Sequence, residues 1–158
     1  MIRFIAAIDS QRGIADDNGI PWQGKIPSDV KYYRAKVQSV GLILMGYGLY
    51  VELSKPYRGG INYVATQETQ LKPGFEPVTD ARAFITNANE DIWNLGGAGI
   101  FGSTFDLADE LYLTRLNQDF HCTKFFPPFE KDFELASRSD PITENDITIC
   151  FEVWRRKT

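Results

Sequence analysis

Cysteine and histidine are scarce in this sequence. Among its 158 residues are two cysteines and one histidine. These residues, Cys122, Cys150 and His121, show no metal-ligand spacing. We therefore expect neither a bound metal nor a framework of disulfide bonds. Free cysteines indicate a reducing compartment, and we expect the protein to be cytoplasmic.

Long apolar runs and basic clusters are also missing. The opening segment, residues 1–12, is apolar for only a few residues, too few for a signal sequence or a membrane span. The net charge is −4. Lys and Arg are scattered apart from the terminal residues 155–157, which leaves no electrostatic footprint for nucleic acid. We expect a small-molecule partner, without nucleic acid or membrane.

Apolar residues are abundant and evenly spread. Hydrophobic residues make up 43% and aromatic residues 13% of the chain, which predicts one domain over residues 1–158. Apolar runs such as Leu42–Met45, separated by stretches long enough for a helix, predict an α/β fold with a mostly parallel twisted sheet and helices on both faces. The last two runs predict an antiparallel C-terminal hairpin. The predicted strands are residues 2–8, 41–45, 61–66, 91–95, 110–116, 133–137 and 147–156.

One carboxylate stands among residues suited to burial. Pro27 and Ser28 give a helix entry signal, so a helix is predicted to begin near Ser28 with Asp29 in its first turn. Two interpretations of Asp29 remain. Acids are favoured at helix N-termini by the helix dipole, or the carboxylate faces a pocket and binds a donor-rich ring. An apolar stripe at helical spacing runs beside it through Ile26, Val30, Tyr33 and Val37.

The stretch "GIPW", followed by "IPSDVKYYR", resembles the substrate-site signature of the dihydrofolate reductase family. The similarity runs through nearly the whole chain, in order, with "MIRFIAAID", "LILMGYGLYVEL", "KPYRGGINYVAT", "NLGGAGIF", "DELYLTRL", "FFPPF" and "CFEVWRR". The resemblance implies a monomer with the dihydrofolate reductase-like fold. It implies that the chain reduces 7,8-dihydrofolate to 5,6,7,8-tetrahydrofolate by hydride transfer from NADPH, and that it binds diaminopyrimidine-type antifolates.

The resemblance also assigns roles in the substrate site. A carboxylate at the position of Asp29 orients the pterin by hydrogen bonds and assists protonation of its imine nitrogen. Thr114 matches a hydroxyl that supports this carboxylate, and Trp22 matches the indole that closes the site. Without the resemblance, Thr114 reads as an ordinary strand residue and Trp22 as core. The other substrate positions are Ile5, Ala6, Ala7, Val30, Tyr33, Leu53, Arg58 and Leu95.

The cofactor site is expected at two glycine-rich turns. "MGYG" and "LGGAG" each follow a predicted strand and open a helix, so bare backbone N–H groups can approach a pyrophosphate. Close packing of helix on strand also explains such glycines. The resemblance assigns to the cofactor Ala7, Ile14, Gly19, Ile20, Gly46, Tyr47, Gly48, Leu49, Thr66, Gln67, Leu95, Gly96, Gly97, Ala98, Gly99, Ile100 and Phe101.

Two departures from the family pattern affect ligand choice. Tyr47 stands where an arginine usually binds the ribose phosphate of NADPH, which leaves NADH open as the cofactor. Gly60 stands where an arginine usually binds the glutamate tail of folate, and Arg58 is the candidate to replace it. Weaker folate affinity is predicted. The alternatives are a reductase of the same fold acting on another pterin or a riboflavin-pathway pyrimidine, and a pterin- or nucleotide-binding protein without catalysis.

Overall fold

The computed structural model describes residues 1–39 and 41–158, in which one large β-sheet is combined with four α-helices. The strands are β1 (Ile2–Ile8), β2 (Gly13–Ala15), β3 (Leu42–Gly46), β4 (Asn62–Ala65), β5 (Phe75–Val78), β6 (Ile92–Asn94), β7 (Glu110–Leu116), β8 (Lys124–Phe125), β9 (Phe133–Arg138), β10 (Ile142–Glu144) and β11 (Ile147–Arg156). The helices are α1 (Pro27–Val37), α2 (Tyr47–Glu52), α3 (Ala81–Asn87) and α4 (Ala98–Thr104).

The main sheet has the strand order β10-β11-β7-β1-β6-β3-β4-β5. All neighbours from β7 to β5 are parallel. Ile43, Leu44 and Met45 in β3 are each 0% exposed, as expected for a strand covered on both faces. The predicted α/β fold with a mostly parallel sheet is confirmed. Phe75–Val78 forms the edge strand β5, which was not among the predicted strands, and Pro77 is tolerated at this edge.

The antiparallel end of the sheet is built around β11. This strand pairs with β7 on one side and with both β9 and β10 on the other, so the predicted C-terminal hairpin is confirmed. The polar link before β11 contains an additional strand, β10, and a tight turn joins β10 to β11. At that turn Asn145 and Asp146 have φ values of 50° and 64°. Two consecutive residues with positive φ are typical of two-residue hairpin turns.

Helix α1 carries the candidate carboxylate. It begins at Pro27, a residue favoured in the first helical turn, one residue before the predicted start. Basic residues in its last turn, Arg34 and Lys36, complement the helix dipole. The predicted apolar stripe holds in part, since Val37 is 0% exposed whereas Val30 is 43% exposed. No helix in the described ranges is both long and apolar enough to cross a membrane.

The core has two main clusters on opposite faces of the sheet. Successive residues of a strand point to opposite faces, so Phe4 and Ile5 of β1 belong to different clusters. The buried residues of the α1-face cluster are Ile5, Val37, Ile43, Met45, Tyr50, Val64, Phe75, Trp93 and Leu95. Those of the opposite, Phe-rich cluster are Phe4, Ile8, Phe101, Ala108, Leu111, Leu113, Phe126, Phe129 and Phe133.

Candidate active site

Asp29 and Thr114 form a hydrogen-bonded pair between α1 and the centre of the sheet. The Thr114 hydroxyl donates to Asp29 Oδ1 at 2.7 Å. Thr114 is 3% exposed and pairs in register with Ala7 of β1 and Phe151 of β11, so a rigid strand fixes its hydroxyl. Asp29 Oδ2 accepts no hydrogen bond from any described residue. The carboxylate is therefore oriented by one oxygen, and the other can accept bonds from a ligand.

The electrostatic environment of Asp29 favours its neutral form. Burial is the largest influence and raises the pKa of Asp29, the Thr114 hydrogen bond opposes this effect, and the negative charge of Glu144 adds to it. Glu144 lies in β10 and accepts hydrogen bonds from the Ser28 amide and hydroxyl, each at 2.9 Å. Two carboxylates thus share the N-terminus of α1, one binding the backbone and one facing the site.

The apolar wall near Asp29 joins several of the predicted substrate positions. Tyr33, Leu53 and Leu95 pack in the α1-face cluster together with Ile5. The Tyr33 ring meets the Tyr57 ring edge-on, with centroids 5.9 Å apart, and burial raises the Tyr33 pKa well above its usual value. These side chains form a dry surface beside the carboxylate.

Val30 lies apart from this wall. It is 43% exposed and borders an open cleft with Gly24, Pro27, Lys31 and Arg34. Adjacent residues of a helix are separated by about 100° around its axis, so Val30 does not point in the same direction as Asp29, which faces Thr114. That Val30 lines the substrate pocket stays a prediction.

Trp22 belongs to a third buried cluster, which also contains Ile26 and Leu116. Its side chain is 5% exposed, its ring centroid lies 5.1 Å from that of Phe120, and Ala7 packs beside it. No hydrogen bond from Trp22 Nε1 to another described residue is present. The indole N–H is thus free to bind a water or a ligand. Ala6, which points to the opposite face of β1, packs against the Phe-rich cluster.

The segment before Trp22 is anchored at its base by a buried acid. Asp9 is 0% exposed, and its carboxylate accepts hydrogen bonds from the amides of Gln11, Gly13 and Phe120 at 2.9, 2.7 and 3.0 Å. Strand β2, which begins at Gly13, pairs with β8. This role of Asp9 was not predicted from the sequence, because the Phe120 contact spans 111 residues.

The predicted cofactor residues of this segment differ in exposure. Ile14, in β2, packs against the Phe-rich cluster. Gly19 has a φ of 108° and exchanges two backbone hydrogen bonds with Asp16, at 2.8 and 3.1 Å. A side chain is strained at this φ, so the turn favours glycine. Ile20 is 42% exposed. An exposed Ile20 between an anchored β2 and a buried Trp22 is available to contact a ligand.

The two glycine-containing helix starts lie side by side. β3 and β6 are parallel neighbours, and Gly46 and Gly97 are the N-cap residues of α2 and α4. The Gly46 amide donates to the Gly96 carbonyl at 2.6 Å, and a Cβ at Gly46 would lie 3.2 Å from the same oxygen. Close approach of the two backbones therefore favours glycine at this position.

Open space lies in front of these helix starts. A Cβ built at Gly48, Gly97 or Gly99 would meet no atom within 4 Å, so the backbone there can be approached closely. This backbone fits the pyrophosphate of a dinucleotide. Gly96 differs, because it has a φ of 80° and a Cβ would collide with the ring of Phe101. Ala98 and Ile100, on α4, are partly buried.

Phe101, one of the predicted cofactor positions, has a buried side chain. Its ring is 2% exposed and lies 5.4 Å from the Phe4 ring and 5.1 Å from the Phe126 ring. Its side chain is therefore part of the core, and its place in the cofactor site stays a prediction. The Phe101 ring fills the space that a side chain on Gly96 would enter. Packing therefore explains the aromatic residue at this position.

The remaining cofactor positions border α2 and β4. Tyr47 is 43% exposed, whereas Leu49 packs against the α1-face cluster. Thr66 follows β4, and its amide donates to the Val78 carbonyl at 2.9 Å. Gln67 beside it is exposed. Among the described residues, no group of three or more His, Cys, Asp or Glu side chains is placed to bind a metal ion.

The loop before β4 leaves no room for a side chain at Gly60. A Cβ at this position would collide with the Gly41 carbonyl oxygen. The Asn62 side chain holds the loop by bonding the Tyr57 amide and the Tyr57 and Gly60 carbonyls, at 2.9, 2.9 and 3.2 Å. Arg58 is exposed, and no ion pair joins it to another described residue. Its guanidinium is available to a ligand but is not held in position.

Comparison with known proteins agrees with this geometry. The family model described as Dihydrofolate reductase matches residues 1–156. The chain belongs to the dihydrofolate reductase family. It is 31% identical to a dihydrofolate reductase of Bacillus subtilis (strain 168) over 145 residues, 87% of this chain and 82% of that protein. It is 28% identical to one of Staphylococcus aureus (strain Mu50 / ATCC 700699) over 149 residues, 94% of this chain and 92% of that protein.

The match confirms two predictions from the sequence. The resemblance that rested on the motif around Asp29 is correct, and the chain is an enzyme of the oxidoreductase class. Sequence reasoning missed Glu144, whose bonds to Ser28 span 116 residues. A weak local signal for it existed, because the N-cap of α1 is Ile26, which has no side-chain acceptor. A helix start that lacks its own cap needs a partner from elsewhere in the fold.

Proposed function

We propose that the enzyme reduces 7,8-dihydrofolate to 5,6,7,8-tetrahydrofolate, with hydride supplied by a reduced nicotinamide dinucleotide. One observation carries the proposal. Asp29 Oδ1 is held by Thr114, while Oδ2 has no partner among the described residues. A fixed carboxylate with free lone pairs can accept two parallel N–H donors from a flat heterocycle. The edge of a pterin ring presents such a pair, and the relatives compared above are named as dihydrofolate reductases.

Residues of the chain would have separate roles in binding the ring, holding a proton and excluding water. When bound, the nicotinamide supplies a hydride to the imine carbon, and a proton must reach the imine nitrogen. Asp29 orients and polarises the ring, and its burial favours uptake of a proton near the site. Trp22 Nε1 can hold a water that carries the proton. Ile5 and Leu95 present an apolar surface that excludes bulk water from the hydride path.

The resemblance implies NADPH as the donor, and NADH stays open because Tyr47 replaces the usual arginine. The helix starts at Gly46 and Gly97 would hold the pyrophosphate. Both cysteines, Cys122 and Cys150, are free thiols, which fits the proposed cytoplasmic location. A monomer and binding of diaminopyrimidine antifolates at the Asp29 end belong to the same proposal.

A second candidate function is favoured by the loop before β4. Gly60 has no room for a side chain, and the exposed Arg58 is not held in place. A folate glutamate tail therefore has no positioned cation in this loop to bind its α-carboxylate. Reduction of a pterin without that tail, by the same chemistry at Asp29, is the alternative. A protein that binds pterin without turnover is the third possibility from the sequence.

The test follows absorbance at the nicotinamide band with dihydrofolate and, in parallel, with a tail-less dihydropterin. The product is identified by mass. Formation of tetrahydrofolate from dihydrofolate supports the first proposal. A kcat/KM for dihydrofolate close to that for the tail-less compound would further show that the enzyme recognises the glutamate tail only weakly. Turnover confined to the tail-less compound supports the second. Ligand binding by tryptophan fluorescence without turnover of either compound refutes both reductase proposals.

A further inference from the structure

Two strand ends meet where the adenosine end of the cofactor would lie. In the parallel pair β3 and β4, Gly46 is in register with Ala65. The residues that follow them, Tyr47 and Thr66, therefore stand next to each other at the carboxyl edge of the sheet. Because Tyr47 occupies the place of a phosphate-binding arginine, any replacement cation must come from nearby segments.

Nearby segments are poor in cations. Between residues 37 and 54 the sequence has no Lys or Arg, and between residues 59 and 114 it has only Lys72 and Arg82. Lys55 and Arg58 lie in the connection from the end of α2 to the start of β4, at the opposite edge of the sheet, and Arg34 and Lys36 lie in the last turn of α1, before the start of β3. Lys72 and Arg82 are therefore the candidates to bind a phosphate at this edge.

Both candidates are already engaged. The Lys72 ammonium donates to the Leu53 and Tyr50 carbonyls at 2.7 and 3.3 Å, and it lies 4.6 Å from the Tyr50 ring centroid. It thus binds the last carbonyls of α2, at the end opposite Tyr47. Arg82 forms two parallel bonds to the Asp106 carboxylate, at 2.7 and 3.0 Å. This bidentate pair occupies guanidinium N–H groups of Arg82 that would otherwise bind a phosphate.

The turn after β4 carries an exposed acid instead of a cation. Glu68 follows Gln67 in the turn after β4, and its amide donates to Thr66 Oγ1 at 3.1 Å, which folds the turn beside the strand end. Its side chain is exposed. A carboxylate repels a phosphate but accepts hydrogen bonds from the hydroxyls of an unsubstituted ribose.

We propose that the adenosine end of this site selects an unphosphorylated ribose, with Glu68 and Tyr47 as its specificity-determining residues. NADH then binds at least as tightly as NADPH. The inference rests on the proposed function, since it assumes that a nicotinamide dinucleotide occupies the two helix starts. It departs from the donor that the family resemblance implies, because the residues at this edge do not fit the additional phosphate.

Equilibrium binding tests the proposal without reference to activity. Dissociation constants of NADH and NADPH are measured by calorimetry for the wild type, Tyr47→Arg and Glu68→Gln, with Glu90→Gln as control. Glu90 is also exposed but precedes β6, at the opposite edge of the sheet. We expect Tyr47→Arg to tighten NADPH binding about tenfold or more through a new charge-assisted contact, with NADH little changed. Glu68→Gln should weaken NADH and strengthen NADPH, and Glu90→Gln should change neither.

The outcomes separate this proposal from the proposed function. Wild-type binding of NADH equal to or tighter than that of NADPH, with the shifts above, supports it. Tighter wild-type binding of NADPH than of NADH overturns it and leaves the reductase proposal standing. If neither nucleotide binds, both proposals fail.

Discussion

Replacing Thr114 with valine removes one hydroxyl from the site and keeps the branched shape of the side chain. The lost bond is the 2.7 Å contact to Asp29 Oδ1. Since Thr114 is 3% exposed, water does not readily replace the hydroxyl. A hydrogen bond to a charged group contributes about 1.5–3 kcal/mol. We expect the free energy of unfolding to fall by about this amount where Asp29 is ionised, and by less in acid, where the carboxyl is neutral.

The same substitution shifts the titration of Asp29. The Thr114 bond lowers the pKa of Asp29 against the larger effect of burial, so its removal raises this pKa further. A cationic diaminopyrimidine needs the ionised carboxylate. Its affinity falls as pH drops through the Asp29 pKa, and in Thr114→Val we expect this fall to begin at higher pH. Tryptophan fluorescence titrations of the inhibitor at closely spaced pH values measure it.

A matched control is Thr143→Val. Thr143 is an exposed strand threonine whose hydroxyl bonds that of Thr148 at 2.8 Å, and its loss should leave the pH profile unchanged. If the affinity profile of Thr114→Val does not move, or moves to lower pH, the hydrogen bond does not control the ionisation of Asp29. The interpretation of the site would then be wrong, even if stability fell as expected.

Three further predictions follow from Asp29, Glu144 and Gly60. Burial holds the folded-state pKa of Asp29 above its unfolded value, so the ionised carboxylate opposes folding at higher pH. At a pH above the folded-state pKa, Asp29→Asn should therefore resist urea better than wild type, and this advantage should vanish as the pH falls through the folded-state pKa of Asp29. Glu144→Gln removes a charge that raises the pKa of Asp29, so the inhibitor profile should move to lower pH, opposite to Thr114→Val. Gly60→Ala should lose about 1–3 kcal/mol in urea unfolding through collision with the Gly41 carbonyl, whereas Gly102→Ala, with open space around it, should lose none.

The fold was largely predictable because its strands carry the local pattern of buried parallel strands. Residues 42–45 are apolar without interruption, and β3 is indeed covered on both faces. Strand β5 was not predictable, since "FEPV" contains a proline and reads as a loop. Strand β10 lies in a polar segment that has no helical or strand periodicity. Both are short strands at the margins of the sheet, where pairing with a neighbour matters more than the local sequence.

The site was predictable where a motif carries it. Asp29 was identified from its motif, and its partner Thr114 from the resemblance, although they lie 85 residues apart. Asp9 and Glu144 were missed because their partners are distant in the sequence. The burial of the Phe101 side chain was not predictable, because a family position conveys proximity but not the direction of a side chain. Such direction depends on tertiary packing, which periodicity alone does not encode.

We propose above that the Asp29 carboxylate binds the pterin and supports its reduction. The most direct measurement is kcat/KM for dihydrofolate in Asp29→Asn and in Asp80→Asn, whose carboxylate caps α3 by accepting from the Ala83 amide at 3.0 Å. We expect Asp29→Asn to lose about 10²–10⁴-fold with its fold intact by circular dichroism, and Asp80→Asn to remain close to wild type. Turnover by Asp29→Asn within about threefold of wild type, a change far below that expected for a general acid–base contribution, would contradict the account.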